Sequence, residues 1–216
     1  MKIRQINGGY YELELTGKVK EHFDDPKNYA LFIVDEWESL PYSKYIKPDS
    51  IILDIGANIG LFALHVLPYA KRIICVEPTP QHMEIQGDLV KADHVQAALN
   101  SYTGKARFRN EPVNTTMNTL REGSDSYEVA CLTLRDLCVV KELTKVDFCK
   151  IDIEGSEWQA LTIERIKEVK GIIKAFFVEL HPRTIEAQQE MAARFEAAGY
   201  KVEYIDYNGS IYCYED

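Results

Sequence analysis

Largely apolar runs alternate with helix-like segments along most of this 216-residue chain. The runs over 51–55, 146–153 and 172–180 contain few polar residues, which is typical of parallel strands buried on both faces. Strands that alternate with helices predict an α/β fold with a mostly parallel sheet and right-handed crossovers. Further strands are predicted over 72–77 and 95–99, and helices over 61–70, 81–92, 156–169 and 185–198.

Stretches near both ends of the chain instead alternate between polar and apolar residues, which predicts antiparallel hairpins. The alternation over 3–20 surrounds an Asn-Gly-Gly sequence at 7–9, and the alternation over 201–214 surrounds Asn208-Gly209. Both are turn sequences that supply the positive φ of a tight hairpin. The sheet should therefore end in an antiparallel pair, which a plain dinucleotide-binding sheet does not require.

Two segments stand apart from this regular order. The sequence Asp-Asp-Pro at 24–26 is typical of a helix start, and a helix to about Leu40 would follow it. We therefore divide the chain into an N-terminal hairpin and helix over 1–48, which could form a lid, and a main domain over 49–216. Residues 100–130 are polar and are predicted to form a strand followed by a long, irregular loop.

The composition is that of an ordinary acidic protein, and it narrows the range of partners. The net charge is −9, and no run of Lys or Arg provides the basic face that extended nucleic acid or an anionic membrane surface attracts. Five cysteines without a C-x-x-C pair indicate buried free thiols in a reducing compartment. No segment approaches the roughly 18 apolar residues of a membrane-spanning helix, so a cytoplasmic protein is expected.

The first strand of the main domain leads directly into a glycine-containing turn that opens a helix. Gly56 and Gly60 suit a turn with unusual backbone angles, and Asn58 tolerates a left-handed conformation better than most residues. Glu77 follows 21 residues after Gly56, at the end of the second strand. A carboxylate there can accept hydrogen bonds from both ribose hydroxyls of an adenosyl group, so the ligand is expected to contain a ribose.

These residues resemble the signature of the FkbM family of S-adenosylmethionine-dependent methyltransferases. The segment 52–60, with the sequence ILDIGANIG, and the Val-Glu-Pro sequence at 76–78 are similar to the first part of that signature. The segment 150–157, KIDIEGSE, is similar to the K-x-D-x-E-G-x-E stretch of the family, and 178–182, VELHP, to the segment after it. Asn58 departs from the glycine of the general methyltransferase turn but agrees with this family. The resemblance covers about residues 50 to 182.

The resemblance implies a class I, Rossmann-like fold, S-adenosylmethionine as cofactor, and O-methylation of a small molecule such as a sugar, a polyketide or another secondary metabolite. The class I sheet also has the C-terminal antiparallel hairpin that the alternation predicts. The resemblance further implies a set of cofactor-binding residues. These are Asp54, Gly56, Ala57, Asn58 and Gly60 at the methionine end, Glu77 at the ribose, and Gln96 and Ala97 near the adenine.

Transfer to a hydroxyl oxygen requires a group that takes up the hydroxyl proton, and the later strands offer three candidates. Asp152 lies at the carboxyl end of the fourth strand, where open α/β sheets bind ligands, and Glu154 follows two residues later. His181 follows the fifth strand, and its ordinary pKa near 6.5 suits a base at neutral pH. We therefore expect Asp152, Glu154 and His181 to be catalytic.

Four neighbouring residues have less defined roles. Glu157 is interpreted as an acid that stabilises the N-terminus of the following helix through the helix dipole. Glu179 either orients His181 or binds the substrate. Tyr42 and Tyr45 lie near the entry to the first strand and are candidates for a lid that shapes the acceptor pocket.

A divalent metal ion at this edge of the sheet is a further possibility to consider. Four side chains could supply ligands to an ion that holds the substrate hydroxyl, namely Asp152, Glu154, Glu179 and His181. Their spacing does not demand an ion, so no metal is predicted.

Two other functions remain open at this point. A nicotinamide-dependent oxidoreductase would share the turn and the ribose carboxylate, but Asn58 and Ala63 depart from the G-x-G-x-x-G spacing of that class. A catalytically silent module that only binds a nucleotide is the second alternative. The charged residues after the later strands argue against such a module.

Overall fold

The computed structural model describes residues 2–6, 10–14, 45–109, 126–205 and 209–216. The strands within these ranges are β1 (Lys2–Ile6), β2 (Tyr10–Glu14), β3 (Ser50–Ile55), β4 (Ala70–Val76), β5 (Asp93–Val95), β6 (Ala98–Leu99), β7 (Gly104–Arg109), β8 (Ser126–Leu132), β9 (Phe148–Ile151), β10 (Ala175–Glu179), β11 (Lys201–Ile205) and β12 (Ser210–Tyr214). The helices are α1 (Leu61–Val66), α2 (Pro80–Leu89), α3 (Leu134–Val140), α4 (Glu157–Ala160), α5 (Ile163–Lys167) and α6 (Ile185–Ala197).

Seven strands form one central sheet in the order β11-β12-β10-β9-β3-β4-β5. The five strands from β10 to β5 run parallel to one another, and β12 pairs antiparallel with both β10 and β11. The predicted α/β fold and its antiparallel ending are therefore confirmed. Because the parallel strands point the same way, the turns that follow β3, β4, β9 and β10 meet at one edge of the sheet.

Helices cover both faces of this sheet, as the apolar strand runs require. On one face Leu53 and Phe176 belong to a core that includes Leu137 of α3 and Phe195 of α6. On the other face Ile52, Phe148 and Phe177 belong to a core that includes Phe62 of α1. All five cysteines are buried and free, as predicted. Burial raises the pKa of the Cys138 thiol to about 11.

Several predicted elements are shorter in the structure, for identifiable reasons. The helix expected over 61–70 ends at Val66, where a 3₁₀ turn with Pro68 near its start replaces it. The helix expected over 156–169 is divided into α4 and α5, because Leu161 is not helical and Thr162 caps α5 by accepting a hydrogen bond from the Arg165 amide. The Ser156 side chain makes no hydrogen bond that caps α4.

A second sheet of three strands, in the order β6-β8-β7, was not predicted. The strand expected over 95–99 is interrupted at 96–97, where the chain leaves the central sheet and enters the second one. β7 corresponds to the strand expected after residue 100, but β8 lies partly in the segment assigned to an irregular loop. Residues 110–125 lie outside the described ranges.

The N-terminal segment is described in part. β1 and β2 pair antiparallel, with Ile6 opposite Tyr10, which confirms the first hairpin. The helix predicted over 24–40 and the lid candidate Tyr42 lie outside the described residues, and the division at residue 48 stays a prediction. Within the ranges the structure describes, every helix is too short or too polar to cross a membrane.

Candidate active site

The turn after β3 folds over the end of β4. The amides of Gly56 and Ala57 both donate to the Val76 carbonyl, at 2.9 and 3.1 Å. Gly56, Asn58 and Gly60 have φ values of 77°, 47° and 89°, as the sequence analysis expects of this turn. α1 begins directly after Gly60, so the predicted strand–turn–helix arrangement is present.

Gly56 also sets the distance between this turn and the loop after β9. A Cβ atom at Gly56 would lie 1.7 Å from the Asp152 carbonyl oxygen, which leaves no room for any side chain. The Asp152 amide donates in turn to the Ile55 carbonyl at 3.0 Å. The loops after β3 and β9 are therefore in direct backbone contact.

Glu77 lies at the end of β4 and is held by the same turn. Its side chain accepts hydrogen bonds from the Asn58 amide at 3.0 Å and from the Thr79 amide at 2.9 Å. The residue is 5% exposed, and the Nδ1 atom of His82 lies 3.4 Å from its Oε1. A carboxylate is an acceptor with several lone-pair sites, so two backbone bonds fix Glu77 and leave capacity for hydroxyl donors. This chemistry fits the ribose of an adenosyl ligand.

Gln86 joins the turn to the edge of the sheet. Its Nε2 donates to the Asn58 carbonyl, and its Oε1 lies 3.0 Å from Nδ1 of His94 on β5. Because Oε1 can only accept, the His94 ring donates this bond. Gln86 is fully buried, and its hydrogen bond to the Asn58 carbonyl supports the left-handed conformation of Asn58. No sequence motif indicated this residue.

Gln86→Leu is expected to lower the free energy of unfolding by about 1–3 kcal/mol, because it leaves the Asn58 carbonyl and the His94 ring without their partner. Urea unfolding of the purified chain measures the change. Gln81→Leu on the exposed side of the same helix is the matched control and should stay within about 0.5 kcal/mol. Equal stability of the two variants would contradict a supporting role for Gln86.

The residues assigned to the adenine lie where the chain passes between the two sheets. Gln96 is exposed, and Ala97 is buried and donates its amide to the Val95 carbonyl at 3.1 Å. Tyr127 on β8 was missed by sequence reasoning. Burial and the Glu77 carboxylate both raise the pKa of Tyr127. β8 therefore contributes Tyr127 to the surroundings of Glu77, which no sequence motif indicated.

A second group of polar side chains surrounds the loops after β9 and β10. A tight turn at Glu154 and Gly155, with φ values of 52° and 95°, follows β9. Across from it, His181 has Nε2 3.4 Å from Glu154 Oε2 and Nδ1 3.2 Å from Glu157 Oε1. We call the following residues the charge cluster: Lys150, Asp152, Glu154, Glu157, Glu179, His181 and Arg183.

Glu157 is turned inward, which the sequence analysis did not anticipate. Although Glu157 is the first residue of α4, it is fully buried and accepts a hydrogen bond from the Ile153 amide at 3.1 Å. Its carboxylate thereby contacts His181 rather than solvent. Its spacing from Glu154 in the KIDIEGSE segment is the signal that could have indicated this role.

His181 is also held through its backbone. The Trp158 indole donates to the His181 carbonyl at 2.7 Å. Arg194 of α6 in turn donates to the Trp158 carbonyl at 2.9 Å, and its guanidinium lies 5.1 Å from the centre of the indole ring. Helix α6 therefore supports the loop that carries His181.

The electrostatics differ between the members of the charge cluster. Burial opposes ionisation of Asp152, but the Lys150 ammonium, 3.0 Å from its Oδ2, holds the pKa of Asp152 below its ordinary value. Burial, followed by repulsion from Asp152, raises the pKa of both Glu154 and Glu179 to about 7. Burial would lower the pKa of His181, but the hydrogen bond to Glu157 and the nearby carboxylates raise it to about 9. His181 therefore carries a proton at neutral pH, unlike the ordinary imidazole that the sequence analysis assumed.

Three further candidates have distinct surroundings. Asp54 is fully buried and lies opposite Lys150 in the register of β3 and β9. Glu179 accepts a hydrogen bond from Arg183. Tyr45 stacks on Tyr212 of β12, with ring centres 3.8 Å apart.

The structure thus brings most sequence-selected residues into two neighbouring groups. The turn after β3 and Glu77 form one group, the charge cluster forms the other, and the contact between Gly56 and Asp152 joins them. Tyr45 belongs to neither group, since it packs on the C-terminal hairpin. The roles given to the individual residues stay predictions.

Comparisons with known proteins identify the family and support the fold. The methyltransferase FkbM domain family matches residues 54–202. A methyltransferase FkbM structure from Methylobacillus flagellatus is 15% identical, with a TM-score of 0.55, over 82% of this chain and 48% of that one. The chain therefore spans about half the length of that protein.

Other similar structures support the same fold. The fibrillarin pre-rRNA processing protein of Methanococcus jannaschii is 18% identical, with a TM-score of 0.50, over 78% of this chain and 66% of that one. A dimethyladenosine transferase from Plasmodium falciparum is 12% identical, with a TM-score of 0.52, over 84% of this chain and 61% of that one. No curated protein matches the sequence.

Proposed function

This chain belongs to the FkbM methyltransferase family, which depends on S-adenosylmethionine, and on that premise we propose that it methylates a hydroxyl oxygen of a small molecule. The observation that carries the proposal is the direct contact between the nucleotide-binding turn and the loop that bears Asp152. A donor held by the first group would lie beside the acid and imidazole groups of the charge cluster.

The first group of residues would bind and orient the cofactor. Glu77 offers acceptor sites to the ribose hydroxyls, and the amides of Asn58 and Thr79 keep its carboxylate in place. The turn from Gly56 to Gly60 exposes backbone to the methionine end of the cofactor. The cofactor supplies an activated methyl group, so the chain mainly has to align the donor with the acceptor.

The charge cluster would receive the acceptor and its proton. Because His181 already carries a proton at neutral pH, Glu154 is the member of this pair that can take up the hydroxyl proton, and His181, 3.4 Å away, holds its carboxylate in place. Asp152 stays ionised beside Lys150 and places negative charge next to the acceptor. Glu179, held by Arg183, would contact the remaining part of the substrate.

The charge of the chain supports a small acceptor. With a net charge of −9 and no basic run, the chain lacks the electrostatic attraction that extended nucleic acid requires. The family match favours methyl transfer over the nicotinamide alternative. A silent module remains the alternative that an experiment has to exclude.

Calorimetry with S-adenosylhomocysteine and with NAD tests the ligand class directly. We expect saturable binding of S-adenosylhomocysteine and none of NAD, and binding of NAD alone would overturn the proposal. A labelled methyl donor and a panel of sugars, polyketides and other hydroxylated molecules then test transfer. Label recovered as a methyl ether supports O-methylation, whereas label on carbon or nitrogen would contradict it.

His181→Ala is expected to lower kcat by about 100-fold or more, because Glu154, which takes up the acceptor proton, loses the imidazolium that holds its carboxylate. The affinity for S-adenosylhomocysteine should change less than about twofold, since His181 lies in the second group of residues. Methyl-transfer kinetics and calorimetry measure the two quantities. His65→Ala on α1 is the control and should retain kcat. Parallel loss of turnover and cofactor affinity would identify His181 as a structural residue.

A further inference from the structure

Three side chains of the charge cluster bring possible metal ligands together. A ligand atom from each of Asp152, Glu157 and His181 lies within 4.8 Å of the other two. Two ligands of one ion, each about 2.0–2.6 Å from it, are separated by at most about 5 Å. The three atoms therefore fit around a single ion without a change of the backbone.

Two carboxylate oxygens in this group have no hydrogen-bond partner among the described residues. These atoms are Oδ1 of Asp152 and Oε2 of Glu157, and both are shielded from solvent. The other Glu157 oxygen already accepts from the Ile153 amide, and the whole residue is 0% exposed. A buried carboxylate oxygen without a hydrogen-bond partner carries a desolvation penalty. A cation bound by both oxygens would remove that penalty.

The net charge of the charge cluster favours a divalent cation. The carboxylates of Asp152, Glu154, Glu157 and Glu179 carry four negative charges when ionised. Lys150 and Arg183 contribute two positive charges, and a neutral His181, which ligation requires, contributes none. The carboxylates therefore outnumber the fixed positive charges of the cluster, which favours a bound cation.

We propose that Asp152, Glu157 and His181 bind one divalent transition-metal ion. One imidazole and two carboxylates form a mixed nitrogen and oxygen set, which favours Mn²⁺ or Zn²⁺, whereas Mg²⁺ and Ca²⁺ prefer oxygen ligands alone. Both ring nitrogens of His181 lie beside carboxylates, so the nitrogen that does not ligate can donate to one of them. Such an outer hydrogen bond is the usual way to orient a metal-bound histidine.

The ion would also have a role in methyl transfer, and that role rests on the proposed function. A metal ion polarises a bound hydroxyl and lowers its pKa, which assists loss of the proton at neutral pH. The binding of the ion does not depend on this role. The metal site and the methyltransferase activity can therefore be tested separately.

Calorimetric titration of the metal-free full chain with MnCl₂, together with loss of the electron paramagnetic resonance signal of free Mn²⁺, tests the site. We expect one Mn²⁺ per chain, weaker binding of Mg²⁺, and at least a tenfold loss of Mn²⁺ affinity in Glu157→Gln and in Asp152→Asn. Glu168→Gln removes the same charge from an exposed residue of an ion pair on the surface and should bind Mn²⁺ normally. Circular dichroism confirms that each variant is folded.

Absence of saturable Mn²⁺ and Zn²⁺ binding to the folded chain would overturn the proposal, as would equal affinity in wild type and both cluster variants. Glu157→Gln retains an oxygen for the Ile153 amide, so it tests ligation with little loss of packing. Calorimetry with S-adenosylhomocysteine on the same metal-free sample separates the two ideas. Cofactor binding without metal binding would reject the metal site alone, and metal binding without cofactor binding would reject the proposed function alone.

Discussion

Gly56→Ala is expected to reduce the free energy of unfolding by more than about 3 kcal/mol and to abolish binding of S-adenosylhomocysteine. The added Cβ would lie 1.7 Å from the Asp152 carbonyl oxygen, and this oxygen belongs to backbone that cannot move aside without breaking the Asp152–Ile55 hydrogen bond. The φ of 77° adds strain that a residue with a side chain rarely tolerates. Urea unfolding and calorimetry measure the two effects.

Gly87→Ala is the matched control for this substitution. Gly87 lies in α2, and a Cβ there meets nothing within 4 Å. Alanine is favoured over glycine in a helix, so this variant should be as stable as the wild type or more stable by about 0.5–1 kcal/mol. If Gly56→Ala behaved like Gly87→Ala, the close contact between the loops after β3 and β9 would be wrong.

Glu77→Gln is expected to weaken S-adenosylhomocysteine binding by about 10- to 100-fold, which corresponds to about 1.4–2.8 kcal/mol. Both carboxylate oxygens accept backbone amide hydrogens, from Asn58 and Thr79. An amide group replaces one acceptor by a donor, so one of these backbone donors loses its partner and the acceptor capacity toward ribose falls. The turn after β3 should loosen as well, and calorimetry measures the affinity.

Glu84→Gln provides the comparison on the exposed surface of α2, with the same loss of charge. Its affinity for S-adenosylhomocysteine should equal that of the wild type. Turnover at saturating cofactor should fall much less in Glu77→Gln than in His181→Ala, because the two residues belong to different groups. An unchanged affinity for S-adenosylhomocysteine in Glu77→Gln would show that Glu77 does not bind the cofactor.

The sequence predicts the central sheet well because parallel strands buried on both faces appear as continuous apolar runs. β3, β9 and β10 all lie within such runs, and the two hairpins follow from alternating residues around Asn-Gly. The proximity of the turn after β3 to Glu77 could also be predicted, since both follow neighbouring parallel strands. Helix lengths were less accurate, because one proline or one capping threonine decided where each helix ended.

The parts that sequence reasoning missed depend on contacts between distant segments. An acid at a helix start, such as Glu157, ordinarily faces solvent, and its inward direction depends on His181, 24 residues later. The raised pKa of His181 has the same origin, because it results from the carboxylates that the fold gathers around the ring. The second sheet was missed because β6 has only two residues and because the chain changes sheets within a short apolar segment.

Because α6 supports the loop that carries His181, the position of His181 depends on a residue outside the charge cluster. Arg194 reaches from α6 to the Trp158 carbonyl, and the Trp158 indole holds the carbonyl of His181. We therefore expect substitution of Arg194 to alter the reaction rate while every residue that meets a ligand stays the same. Comparisons of relatives that consider only pocket residues would overlook such differences.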